Sequence, residues 1–173
     1  SPSPRPTTSG LLRRAPTTTS GTSESTATRV NAPLSRRHTT RIASKKAYEE
    51  AGIKNPRDEV SMVDVHDCFS VTELVTMEDL HISPEGRAIH DVMDGFYDHD
   101  GNIPCQIDGG LKCFGHPIGA SGLRMIYEMY LQLQGKAGPR QRKELPRLGL
   151  THNLGGFPHQ NVCSISIVGR HEG

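Results

Sequence analysis

A glycine-rich segment, residues 109–122, constrains this chain of 173 residues more than any other feature. Five glycines surround a single imidazole, His116, and Pro117 follows it directly. Glycines allow tight turns and let a ligand approach the backbone, while proline stiffens the loop beside the imidazole. An amphipathic helical pattern begins straight after the segment, and the unpaired N–H groups of a helix start favour negative charge. This pattern is typical of an active-site loop.

Two further polar clusters each stand at the end of an apolar stretch, one over residues 63–70 and one over residues 151–156. Ligands in open α/β sheets gather at the carboxyl ends of strands, so both clusters are candidate site segments. His66 and Cys68 are two residues apart, and an extended backbone would point both side chains to the same side. We therefore expect these two residues to share a pocket.

Composition excludes several classes of protein. The formal net charge of +1 gives no general electrostatic reason to bind nucleic acid. No apolar run approaches the roughly 20 residues that cross a bilayer, and no secretory leader is present at the start. The four cysteines are therefore expected to be free thiols, and the protein to be soluble and intracellular.

The chain divides into two parts by composition. Residues 1–37 are rich in Ser, Thr, Pro and Arg, with Glu24 the only acid, so they are expected to form a disordered tail. A transit peptide and a gene-model artefact are alternatives for this tail. Residues 38–173 are expected to form one domain.

Within that domain, the pattern predicts alternating helices and strands. Helices are expected over residues 41–51 and 70–80, from Ser83, and after the glycine-rich segment, with Leu123, Ile126, Tyr127, Met129, Tyr130 and Leu133 as the apolar face of the last. Strands are expected over residues 60–65, 148–151 and 162–168, the last two as an antiparallel pair flanking a loop. The result is a layered α/β unit.

Three ordered motifs resemble the thiolase family, in particular the sterol carrier protein type of 3-oxoacyl-CoA thiolase. They are His66-Asp67-Cys68-Phe69, the Gly-His-Pro segment that begins at Gly115, and His152-Asn153-Leu154-Gly155-Gly156. The resemblance implies the carboxyl-terminal half of the thiolase fold, layered α/β/α. It also implies an acyltransferase acting on 3-oxoacyl-CoA and other acyl-CoA thioesters in lipid and fatty acid metabolism, with coenzyme A as substrate and no cofactor. The nucleophilic cysteine belongs to the amino-terminal half of such enzymes, so a partner is expected to supply it.

The resemblance also implies roles for single residues. His116 corresponds to the base that takes the proton of the nucleophile and donates to a thioester oxygen, a task that suits an imidazole. Cys68 corresponds to the acid/base at the α-carbon, and His66 to an oxyanion donor. A second oxyanion site is expected at the backbone of Gly155 and Gly156. The substrate-binding glycines Gly115 and Gly119 flank His116.

Two readings from other classes stay open at this point. A non-catalytic thiolase fragment would bind acyl-CoA or a partner subunit without turnover. A zinc-binding module would use His66, Cys68, Cys113 and His116, because two thiolates and two imidazoles can complete a tetrahedron. The sequence does not distinguish a peroxisomal from a mitochondrial or cytoplasmic location.

Overall fold

The computed structural model describes residues 13–20, 38–157 and 160–170, and shows a mixed sheet covered by helices on both faces. This confirms the layered α/β fold class. No helix in these ranges is long and apolar enough to cross a membrane. The strands are β1 (Arg13–Ser20), β2 (Met62–Asp64), β3 (Leu148–Phe157) and β4 (Gln160–Gly169). The α-helices are α1 (His38–Ala51), α2 (Pro56–Glu59), α3 (Ser70–Asp79), α4 (Ala88–Met93), α5 (Gly110–Phe114) and α6 (Ser121–Leu133), and a 3₁₀ turn spans Gly138–Arg140.

The sheet has the strand order β1-β4-β3-β2. Strands β3 and β4 form an antiparallel hairpin, and β1 pairs antiparallel with the outer edge of β4. Strand β2 pairs in parallel with β3, with Met62 opposite Gly149 and Asp64 opposite Thr151. The carboxyl end of β2 therefore lies beside the middle of β3.

The larger core lies between the sheet and helices α1 and α3. Alternating residues of β4, namely Cys163, Ile165 and Ile167, point into it, because side chains of a strand alternate between the two faces. Ala43 and Ala47 of α1 are fully buried against this face. The alternation predicted for residues 162–168 is confirmed.

Helix α6 covers the opposite face of the sheet, but with a different stripe from the predicted one. Met129 and Leu133 are buried there with Met62 and Val168, as expected for part of the stripe. Leu123 and Tyr127 are 69% and 61% exposed, so the prediction was wrong for these two residues. The physical reason is that polar residues complete the buried face: Glu128 accepts hydrogen bonds from Gln132 and from the Arg140 guanidinium.

Two stretches of backbone differ from the sequence expectation. Arg13–Ser20, within the segment expected to be disordered, forms β1; the rest of residues 1–37 lies outside the described residues. The open edge of β4 supplies unpaired backbone groups, and the threonines of this stretch favour a strand. The hairpin is also longer than predicted, because residues 152–157 continue β3 where a loop was expected.

One hydrogen bond fastens the glycine-rich segment to the Asp67 side chain in the loop after β2, and a second, local bond to Asp108 orders the start of the segment. The Asp67 carboxylate accepts the Leu111 N–H at 3.1 Å, and the Asp108 carboxylate accepts the Gly110 N–H at 3.0 Å. Gly110 has a φ of 63°, and a Cβ at this position would overlap the Asp67 carboxylate. A glycine is therefore required here for both conformation and space.

Replacing Gly110 by Ala is expected to lower the free energy of unfolding by about 2–4 kcal/mol, from left-handed strain and displacement of the Asp67 hydrogen bond. Gly52→Ala is the matched control, because Gly52 also has a positive φ but open space around its Cα. It should cost only about 1 kcal/mol. Urea denaturation of the three chains measures both values, and equal losses would contradict the close approach of Asp67.

Candidate active site

The parallel pairing of β2 with β3 places two of the polar clusters side by side. His66 follows β2 directly and is only 8% exposed. Its backbone N–H donates to Nδ1 of His152 at 3.5 Å. The loop after β2 is therefore held against β3 by a side chain of the third motif.

His152 is fully buried and contacts helix α1 with its other ring nitrogen. Its Nε2 lies 3.1 Å from Oγ1 of Thr40. Because Nδ1 accepts the His66 N–H, Nε2 carries the proton and donates to Thr40. His152 thus joins α1, β3 and the loop that carries His66.

His116 lies in an exposed part of the glycine-rich segment, and two contacts orient its ring. Its Nδ1 is 2.7 Å from Oγ of Ser121, the first residue of α6. The ring meets that of His66 edge to face, with 4.8 Å between centroids and 72° between planes. The first and second motifs therefore bring two imidazole rings into contact.

A cavity of about 610 Å³ opens beside the two imidazoles. Residues of all three motifs supply polar groups to its lining, and Ile118, Leu154 and Val162 supply apolar side chains. Among the described residues no carboxylate, ammonium or guanidinium group lines it. It is lined by His66, His116, Ile118, Gly119, Ser121, Gly122, Asn153, Leu154, Gly155, Gly156, Val162 and Ser164.

Five of the seven site residues named from sequence line this cavity. They are His66, His116, Gly119, Gly155 and Gly156. Cys68 and Gly115 are not among its described lining residues. Cys68 is exposed, with its Sγ 3.9 Å from Oγ1 of Thr72 on α3, so the expected shared pocket with His66 is not found. The strand ends at Asp64 and the backbone bends at Cys68 and Phe69, so residues 66–68 do not keep the regular extended form that the expectation required.

The two glycines of the third motif lie within strand β3 rather than in a loop. Gly155 pairs with Val162 and Gly156 with Asn161, and Gly156 has a φ of 104°. Both are exposed at the cavity. Their role as backbone donors to an oxyanion stays a prediction.

The zinc-binding reading is wrong for the described residues. No group of three or more His, Cys, Asp or Glu side chains there is placed to hold a metal ion. The imidazoles of His66 and His116 meet each other, whereas the Cys68 thiol lies against α3 and the Cys113 thiol packs under Gly109. The four proposed ligands do not converge.

Three residues near the site were missed by the sequence reasoning. Ser121 bonds His116, and His152 supports His66, as described above. Asn153 lines the cavity beside Gly122, and its Nδ2 lies 3.2 Å from Sδ of Met125. All three lie in or next to the quoted motifs, so proximity to a motif was the only signal that could have indicated them.

A buried acidic pair lies behind the site. Asp64, at the end of β2, is 1% exposed, and neither of its carboxyl oxygens has a hydrogen-bond partner among the described residues. The Arg124 guanidinium bonds Asp108 and lies 3.9 Å from Asp64. Burial raises the pKa of Asp64 well above 3.8, the Asp108 charge raises it further, and Arg124 opposes both. Asp64 is therefore driven toward its protonated form in the folded protein.

The four thiols fall into two classes. Cys68 and Cys113 are exposed. Burial raises the pKa of Cys163 to about 11. Burial raises the pKa of the Cys105 thiol well above its ordinary value, and the Glu73 carboxylate, 3.3 Å away, adds to that effect. The thiolate form of Cys105 and Cys163 is therefore disfavoured in the folded chain.

Comparisons with known proteins agree with this geometry. A family model described as "Thiolase C-terminal domain-like" matches residues 19–168. The acetyl-CoA acetyltransferase of Methanothermobacter thermautotrophicus is 41% identical over 126 residues, which cover 70% of this chain and 32% of that protein. Sterol carrier protein 2 of Homo sapiens is 41% identical over 113 residues, which cover 65% of this chain and 20% of that protein. The benzoylsuccinyl-CoA thiolase subunit BbsB of Thauera aromatica is 38% identical over 109 residues, which cover 63% of this chain and 28% of that protein.

A solved structure, the Ltp2-ChsH2(DUF35) aldolase, superposes with a TM-score of 0.64 at 22% identity, covering 78% of this chain and 32% of that one. At that identity the likeness shows a shared fold alone. The family match covers more than half of the chain, so the chain belongs to the thiolase C-terminal domain-like family. This confirms the resemblance found from the motifs. The chain spans only 20% to 32% of the length of the relatives named here.

Asp64→Asn is expected to make the free energy of unfolding less dependent on pH. The raised pKa means that the folded chain binds more protons than the unfolded chain between pH 3.8 and the folded pKa, so stability falls as pH rises through that window. An amide does not titrate, so the variant should gain stability relative to wild type as the pH rises. Urea denaturation at several pH values measures this difference. Asp100→Asn, at an exposed carboxylate paired with Lys143, is the control and should show little effect. A difference between variant and wild type that stays constant across the window would contradict the assignment.

Alkylation with iodoacetamide at about pH 8 should modify Cys68 and Cys113 well before Cys105 and Cys163. A thiol with a pKa of about 11 is thiolate in only about one molecule in a thousand at that pH, and burial slows access further. Peptide mass spectrometry over time measures the four rates. The urea-unfolded chain, in which all four should react alike, is the control; rapid modification of Cys163 in the folded chain would refute the described packing.

Proposed function

We propose that this chain is the carboxyl-terminal part of a thiolase-type acyltransferase that acts on 3-oxoacyl-CoA thioesters in lipid and fatty acid metabolism. The observation that carries the proposal is the meeting of the His66 and His116 rings, 4.8 Å apart, at a cavity shared with Gly119, Gly155 and Gly156. Imidazoles near neutrality can accept and donate protons, and glycine backbones can approach an oxyanion closely.

The proposed reaction is thiolysis. His116 takes the proton of a nucleophilic cysteine, and the resulting thiolate attacks the 3-oxo carbon of the substrate. The bond between carbons 2 and 3 then breaks, and the electron pair forms the enolate of acetyl-CoA. The motif resemblance assigns the protonation of that enolate to Cys68, whose thiol lies outside the described lining of the cavity, and His66 and His116 stabilise the enolate oxygen. Coenzyme A thiol then releases the shortened acyl group from the cysteine.

The lining of the cavity supports a neutral reacting group. Its two imidazoles share the cavity with uncharged polar groups and with apolar side chains such as Leu154 and Val162, and no charged side chain lines it among the described residues. A thioester carbonyl and the start of an acyl chain fit such a lining, because hydrogen bonds to a developing oxyanion are stronger in apolar surroundings. The phosphates of coenzyme A would lie outside this cavity.

The nucleophilic cysteine is proposed to come from an amino-terminal thiolase half, either another polypeptide or further sequence of a longer chain. Several apolar side chains in or next to the site segments are exposed, and Ile118 is 98% exposed. Exposed apolar surface of this kind marks an interaction site. The exposed apolar residues of these segments are Phe69, Val71, Phe114, Ile118, Leu123 and Tyr127.

The test is thiolysis of acetoacetyl-CoA, followed by loss of the enolate absorbance. The chain alone should show no turnover, and its fusion behind the amino-terminal half of sterol carrier protein 2 should restore it. In that fusion, His116→Ala should lower kcat by about 10²–10⁴, the usual contribution of general acid–base catalysis. His90→Ala, at an exposed histidine of α4, is the matched control and should keep full activity.

The same fusion tests Cys68. Cys68→Ala should lose a similar factor if this thiol protonates the enolate, and Cys113→Ala, at the other exposed thiol, is its control. Turnover by the chain alone would overturn the need for a second half. A fusion that binds acyl-CoA but never turns over would favour the alternative, a non-catalytic acyl-CoA-binding domain, for which the open cavity is the supporting observation.

A further inference from the structure

The hydroxyl of Ser121 has two partners on the same loop. His116 Nδ1 lies 2.7 Å from Oγ, and the Pro117 carbonyl oxygen lies 3.4 Å from it. A serine hydroxyl has one hydrogen, and a carbonyl oxygen can only accept. Both contacts are hydrogen bonds at the same time only if the hydroxyl donates to the Pro117 oxygen and accepts a hydrogen bond from the Nδ1–H of His116.

We infer that Ser121 is a positioning residue that holds His116 in the Nδ1–H tautomer and so leaves the lone pair on Nε2. This inference rests on the proposed function for its use, because a base must present an unprotonated nitrogen. The tautomer of a histidine is set by the hydrogen bond that its other nitrogen makes. Ser121 therefore decides which nitrogen of His116 can take a proton.

The position of Ser121 suits this task. It is the first residue of α6 and is 4% exposed, so the helix fixes its backbone and little water competes for its hydroxyl. The N–H groups of Ala120 and Ser121 both bond the Pro117 carbonyl, at 3.0 and 3.3 Å, which fixes that acceptor next to the hydroxyl. The exposed imidazole of His116 is thus tied to a buried, rigid acceptor.

The hydrogen bond from Nδ1 to Ser121 is also compatible with the protonated form of the His116 ring. When His116 accepts a proton on Nε2, both ring nitrogens carry hydrogen and both act as donors. The Ser121 oxygen already accepts from Nδ1, so it needs no reorientation as the ring becomes charged. A group that is oriented before the reaction costs no reorganisation during it.

The burial of Ser121 separates this role from that of a nucleophile. A serine beside a histidine is also the arrangement of a hydrolase, in which the hydroxyl gives its hydrogen to the ring. Here the hydroxyl hydrogen is directed to Pro117 and the side chain is nearly inaccessible. A fluorophosphonate probe for nucleophilic serines should therefore leave the chain unlabelled, and labelling at Ser121 would overturn the inference.

The direct test is NMR of the full chain with ¹⁵N-labelled histidine, at about pH 8.5, two units above the ordinary histidine pKa of about 6.5. Long-range proton–nitrogen spectra distinguish a protonated ring nitrogen from an unprotonated one, and His116→Gln identifies the His116 signals. Wild type should show a protonated Nδ1 and an unprotonated Nε2. A protonated Nε2 in wild type overturns the inference without any variant.

Two variants extend the test. Ser121→Ala should shift His116 toward the Nε2–H tautomer, while the signals of the fully buried His152 stay unchanged and show that the chain is folded. Ser121→Thr keeps a hydroxyl and should restore the wild-type signals. An unchanged tautomer in Ser121→Ala would overturn the inference.

The kinetic arm uses the active fusion. Ser121→Ala should lower kcat by about 10- to 100-fold with little change in KM, and Ser121→Thr should recover most of the loss. An equal loss in both variants would indicate a purely structural role and overturn the inference. If the fusion shows no thiolysis, the proposed function fails, whereas the NMR result still decides the tautomer.

Discussion

The parallel pairing of three residues of β2 with β3 is the constraint on which the site depends. A strand that ends at Asp64 beside Thr151 delivers the next residues of both strands to the same place, so His66 and His152 become neighbours across 86 positions of sequence. The glycine-rich segment is then attached to this point by the hydrogen bond from Leu111 to Asp67. If the register slipped by one residue, the side chains of β2 would exchange faces of the sheet, and the loop after it would lose its support.

The sequence predicted which residues line the cavity better than it predicted where single side chains point. The motifs that contain His66, His116 and Gly155 were predicted to meet because strand ends of one sheet lie at one edge. These three residues do line the same cavity. The direction of the Cys68 side chain depends on the bend of the backbone at Cys68 and Phe69, which follows the end of β2 and precedes α3. Local spacing does not determine such a turn. The hydrogen bond of Ser121 likewise depends on the three-dimensional return of a loop over the first turn of a helix.

Helix α6 shows that periodicity predicts the presence of a helix more securely than it predicts which face of the helix is buried. Its sequence carries apolar residues on two sides, and either side could have covered the sheet. The side that packs includes Glu128 and Gln132, which look unsuitable until their partners from the turn at Gly138–Arg140 are known. Buried polar groups with complete hydrogen bonding can replace apolar ones. The strand β1 is a comparable case, because its pairing depends on the free edge of β4, which the local sequence of β1 does not reveal.

That pairing has a consequence for the behaviour of the chain in solution. Eight residues of β1 cover the backbone of β4 from Val162 to Gly169. An uncovered edge of this length is a template on which another copy can add a strand, which is the first step toward fibrous or amorphous assemblies. The pairing with β1 keeps the backbone groups on this edge of β4 from contact with other chains. We therefore expect a chain shortened past Ser20 to self-associate more readily than the full chain.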